Sequence, residues 1–153
     1  MKRHARVYVP DICIAEAFKV LAKKYYSEKW FRSAVKFNEA KRELSKFVRV
    51  ELKTLRAFNR NIRVHDISTN RDIIVSVDRF FELFFKHEKK VQIADLVLAS
   101  TAKYLMDFFD ILKHLLHIVT LDTSLREGIA KLSDLPIAYD PTLKTHRAGT
   151  IFR

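Results

Sequence analysis

Apolar positions along the chain recur mostly at the three-to-four spacing of helices, broken by short runs that read as extended. Residues 12–26 predict a helix opened by Pro10 and Asp11, with Cys13, Ala17, Val20 and Leu21 on one face and Glu16 among them. Residues 30–59 predict one or two long helices, with Ala40, Leu44, Phe47, Val48 and Leu55 inward and many cations outward; the FVRVEL stretch within them is equally compatible with a short strand. NIRVHDIS (61–68) breaks the helical period and places Ile62, Val64 and His65 in an extended run. A further helix over 70–87 presents Ile73, Val77, Phe80, Phe81 and Phe84 as core. Residues 91–106 are almost wholly apolar or small, as in a helix buried on most sides. Helical material continues through Phe109, Leu112 and Leu116, LHIVTLD then reads as a buried strand, and a short helix around 125–132 precedes a second strand, LPIAY. Helix, strand, helix, strand in that order predicts a parallel sheet with helices on its faces.

Length and composition narrow this to an α/β domain spanning 1–153, with a basic, weakly periodic and loosely held tail over 141–153. Cys13 is the lone cysteine, which excludes an internal disulfide framework, suits a reducing compartment and predicts a small packed hydrophobe. No apolar run approaches the ~18–20 residues of a membrane span, and residues 1–10 lack the apolar core of a signal peptide, so a cytoplasmic protein without a membrane partner is expected. Only Gly128 and Gly149 are present, too few for a phosphate-cradling glycine loop, which argues against nucleotide-cofactor enzymes of that kind.

Charge changes the picture more than composition does. Lys and Arg exceed Asp and Glu by 29 to 18, and residues 19–63 hold 14 of the cations against four acids. That stretch carries nearly the whole net charge of +11 and draws polyanions through counterion release and steering. Nucleic acid is the favoured partner, ahead of an anionic membrane, an acidic protein partner or a merely solvated face.

Three acids stand alone in apolar segments: Glu16 in CIAEAFKVL, Asp95 in QIADLVLASTA and Asp122 in HIVTLDTS. An uncompensated carboxylate is costly to bury, so a shared cation is one way to keep all three. In parallel α/β folds, ligands bind where strand carboxyl ends meet helix starts. Asp122 follows the strand IVTL and Asp95 lies in the first turn of its helix, where the amide ends favour an acid, while Glu16 reaches in from its helix. An oxygen-only donor set suits Mg²⁺ or Mn²⁺ better than zinc, and such ions act on phosphoryl groups.

The segments VYVPDICIAEAFKVL, ADLVLASTA and IVTLDTSL, in that order, resemble a PIN domain, the small metal-dependent ribonuclease fold that includes the VapC toxins. The resemblance runs from about Arg6 to Tyr139, with residues 30–60 longer and more basic than in a minimal member. It implies a three-layer α/β/α arrangement with a mainly parallel sheet and hydrolysis of RNA phosphodiesters with Mg²⁺ or Mn²⁺. It also implies metal ligands at Glu16, Asp95 and Asp122, with Thr120 and Ser124 as hydroxyls orienting a ligand or water. An RNA substrate, an inhibitory antitoxin-type protein and a homodimer are the partners it suggests.

The family pattern opens with a strand ending in aspartate, and no acid precedes Asp11, which reads here as a helix cap. The expectation is therefore a PIN-like domain without its N-terminal strand and first acid, either because the natural chain starts upstream or because the activity has been lost or altered. A nucleic-acid-binding or regulatory module that no longer cuts, and a protein-interaction domain, are the alternatives. Local roles compete for single residues: helix caps for Asp95 and Asp122, a lysine pair for Glu16, and backbone hydrogen bonding for Thr101, Thr120 and Ser124. Asp107, Asp110, Asp134 and Asp140 read as caps, turns and solvated charge, the first two being the nearest spare acids.

Overall fold

The computed structural model describes residues 5–46, 48, 62–87 and 89–143, and the chain divides into two compact units, Met1–Thr69 and Asn70–Arg153. The first unit opens with β1 (Ala5–Pro10), whose last residue leads directly into α1 (Asp11–Tyr26). Pro10 takes the N-cap position with extended backbone, and Asp11 is the first helical residue. Asp11 therefore supplies favourable charge to the first turn rather than the side-chain cap expected of it. After α2 (Ala34–Lys46), β2 (Ile62–Ile67) returns to pair with β1 in parallel, Tyr8 opposite His65 and Pro10 opposite Ile67. The extended run read in NIRVHDIS is this strand. FVRVEL and the second half of the long helical stretch lie outside the described residues apart from Val48, as does the tail beyond Leu143.

The expected inward face of α1 is only partly covered: Ala17 and Leu21 are half-buried, Cys13 and Val20 are exposed, and no residue of this helix is fully buried. What holds the connection between α1 and α2 is aromatic. Phe37 is buried, Tyr25 stacks flat against it with centroids 4.3 Å apart, and Phe31 and Tyr26 meet it edge-on.

The second unit holds the larger core. Asn70 caps α3 (Arg71–Lys86), its side chain accepting from the Ile73 amide, and α3 packs against α4 (Ile93–Phe108). Ile73, Phe80 and Phe84 of α3 are fully buried, whereas Phe81 is exposed and stacks on Phe85. The expected apolar series thus splits between two faces, because Phe81 is one residue, about 100°, round the helix from Phe80.

After α4 a short 3-10 turn (Lys113–Leu115) leads to β3 (His117–Val119), followed by α5 (Thr123–Ile129) and β4 (Ile137–Tyr139). β3 and β4 pair in parallel with Ile118 opposite Ala138. Leu96, Ala99 and Ala102 of α4 join Ile118, Leu125 and Ile129 in one core with Phe80 and Phe84. Gly128 makes the closest approach possible: a Cβ there would meet the Phe84 ring at 2.3 Å. The molecule is thus a mixed α/β protein with two separate two-stranded parallel sheets.

Candidate functional site

The carboxyl end of β3 is the most organised part of the candidate site. The strand ends at Val119, the Thr120 amide extends the pairing by donating to the Tyr139 carbonyl at 3.1 Å, and Asp122 becomes the N-cap of α5. Asp122 Oδ1 accepts from the Leu125 amide at 2.7 Å, and the Asp122 amide donates to Thr120 Oγ1 at 3.1 Å. Thr120 and Asp122 are therefore coupled through the turn itself, with Ser124 exposed in the first turn of the helix that follows. The T-x-D order is enough to build this: a short β-branched strand, a hydroxyl to close the turn, and an acid to satisfy an orphan helix amide.

Asp95 occupies the matching place in α4. It is the third helical residue, half-buried, and forms a capping box with Gln92, whose backbone amide donates to Asp95 Oδ2 at 2.8 Å. Glu16 lies in the other unit, on α1, where both of its carboxylate oxygens accept from Lys19 Nζ at 3.0 and 3.3 Å. Thr101 is fully buried and donates to the Val97 carbonyl at 2.7 Å, the local role read as its alternative. Among the spare acids, Asp107 pairs with Lys103 and Asp134 with Arg79, while Asp110 sits in a left-handed turn at φ 48°.

The oxygen donors suit a hard divalent ion in kind. In position they do not yet make one site: among the described residues, no group of three or more His, Cys, Asp or Glu side chains stands together to hold a metal. Thr120, Asp122 and Ser124 share one strand end and helix start, Asp95 opens α4, and Glu16 belongs to the first unit.

Two features escape a reading of the sequence built on acids and net charge. Arg126, largely buried, donates from Nη1 to the Thr120 carbonyl at 3.0 Å and from Nη2 to Thr123 Oγ1 at 3.1 Å, and sits 3.3 Å from Asp140 Oδ2. It ties the turn carrying Asp122 to the end of β4, and its signal is a cation one helical turn beyond the acid with a second acid just past the next strand. The other is KKYYSEKWFR, where aromatics interleave with cations at the α1–α2 connection. Lys24 Nζ stands 3.5 Å from the Trp30 ring centroid, and the Lys24 hydrogen bond, first among several causes, holds Glu28 below the usual carboxylate range.

No helix among the described residues is long and apolar enough to cross a membrane. Searches of protein-family models, curated proteins and solved structures found no match to this chain.

Proposed function

We propose that this protein is a PIN-like domain of the metal-dependent ribonuclease type, which engages RNA through its basic first unit and binds Mg²⁺ or Mn²⁺ through Asp95 and Asp122 of the second. One observation carries the reading. In the second unit α4, β3, α5 and β4 follow one another with β3 parallel to β4, and Asp122 stands just beyond the carboxyl end of β3 with Asp95 in the first turn of the buried α4. That is the strand-to-helix ground on which parallel α/β folds place ligands. ADLVLASTA lies on α4, and IVTLDTSL runs from β3 through the turn into the start of α5, an order that supports the resemblance. The cations of residues 19–46, nine against three acids, supply sequence-independent attraction for a phosphate backbone.

A second reading has its own observation. Glu16 is paired with Lys19, and Asp95 and Asp122 are both engaged in helix caps, so each acid has a structural use that needs no ion. A domain that binds RNA without cutting it follows from that state of affairs.

Calorimetric titration with Mn²⁺ separates the two. Asn caps a helix about as well as Asp, so Asp122→Asn keeps the α5 cap while removing the charge a divalent ion needs. The ribonuclease reading expects saturable Mn²⁺ binding that Asp122→Asn weakens at least about tenfold, the size of effect typical for loss of a key group in a metal site. Absence of saturable binding, with salt-sensitive RNA binding retained, selects the non-cutting module.

A further inference from the structure

The α1–α2 connection exposes aromatic rings where folding alone gives no reason to. α1 ends at Tyr26, Lys29 adopts a left-handed backbone at φ 55°, and the Trp30 amide donates to the Lys24 carbonyl at 2.9 Å. The chain thereby turns back so that the indole lies under the Lys24 ammonium. Trp30 is 69% exposed and Tyr26 65% exposed, although the rings of Tyr25, Phe31 and the buried Phe37 gather at the same connection. Tyr26 is not a loose side chain: its ring meets Tyr25 edge-on at 4.8 Å and Phe37 at 5.7 Å. The rings are held out rather than left out.

Around them, positions 23–32 carry Lys23, Lys24, Lys29 and Arg32 against the single acid Glu28. Glu28 is shared by Lys23 and Lys24, while Lys29 and Arg32 are exposed and have no ion pair among the described residues. Fixed exposed rings next to uncompensated cations are the two components of single-strand recognition: stacking surfaces for bases and charge for the backbone between them.

We propose that Trp30 and Tyr26, framed by Lys29 and Arg32, form a stacking platform for the bases of single-stranded RNA, an inference that rests on the RNA reading and specifies the form of RNA bound. A duplex keeps its bases stacked on one another, so it offers the platform only backbone charge. The platform therefore discriminates single strand from duplex without reading sequence.

Trp30 is the only tryptophan in the chain, so its emission reports on this place alone. The test titrates the full chain at low salt with a fluorescein-labelled oligouridylate of about twelve nucleotides, within the site sizes such surfaces span, and with a duplex of equal length. The platform predicts saturable quenching of tryptophan emission by the oligouridylate. It predicts a loss of about tenfold in single-strand affinity for Trp30→Ala, near-complete retention in Trp30→Phe, and duplex affinity changed less than about twofold, since phosphate contacts carry that binding. Oligouridylate binding that leaves the emission and the Trp30→Ala affinity unchanged overturns the platform and leaves the RNA reading standing. Equal losses on single strand and duplex overturn it too. Failure to bind either RNA at low salt removes both readings, and an acidic polypeptide that quenches Trp30 in their place reassigns the surface to a protein partner.

Discussion

The two units are built on different physics. Residues 70–143 bury phenylalanines, leucines and isoleucines from three helices and a strand in one core, with Phe80, Ile73 and Leu125 completely inaccessible. In the described part of the first unit only Pro10 and Phe37 are buried, and α1 runs 16 residues without burying one fully. Its order comes from a parallel strand pair, stacked rings and exposed ion pairs, each of which contributes modestly on its own. The second unit has core to spare for positioning acids at helix starts. The described part of the first unit buries little and keeps its cations and several aromatics at the surface, and is expected to open more readily.

The largest effect should come from the second core. Phe84→Ala removes a fully buried ring that touches Gly128 and should cost about 3–5 kcal/mol, read as a lower midpoint of urea unfolding by far-ultraviolet circular dichroism. Trp30 reports the first unit separately, so its emission midpoint should move less. Coincident shifts of both midpoints would show that the two units unfold as one and would break the contrast drawn between them.

A smaller effect is expected at the turn after β3. Asp122→Ala loses the bond to the Leu125 amide and should cost about 1 kcal/mol, whereas Asp122→Asn should stay within a few tenths. Equal destabilisation by both would mean that the carboxylate charge, rather than the cap, stabilises the fold there.

The smallest effect concerns pH. Burial, and then the charge of nearby His114, push His117 below the usual histidine range. Its charged form is disfavoured in the folded state, so the unfolded chain takes up the proton first. Stability of the second unit should be unaffected by this group above the ordinary histidine value of about 6.5 and should fall as pH drops through it. His117→Gln should flatten that part of the melting-temperature profile, and an unchanged slope would assign it to other groups.

Much of the architecture is legible in the sequence because it is local. The 3.6-residue period delimits α1, α3 and α4 closely, and the helix–strand alternation after Asp95 anticipates the parallel pairing of β3 with β4. Which face of a helix is covered is not local. Cys13, Val20 and Phe81 sit at periodic positions and are exposed, since periodicity records what a helix could bury rather than what stands opposite it.

The acids illustrate a sharper limit. Asp95 and Asp122 fall at helix starts, where a cap and a metal ligand both call for an oxygen acceptor, so one residue pattern encodes either use. The partner of Glu16, by contrast, was visible three positions on as Lys19, and the aromatics of KKYYSEKWFR stood among the very cations that define the charge of the region.

The most direct measurement is cleavage of an end-labelled single-stranded RNA by the purified chain in Mn²⁺, run beside the same reaction in EDTA and beside Asp122→Asn. A PIN-like ribonuclease should yield fragments in Mn²⁺ that disappear with EDTA and with Asp122→Asn, while RNA binding persists in all three. Intact RNA under every condition, or cleavage indifferent to both the ion and Asp122, would contradict it.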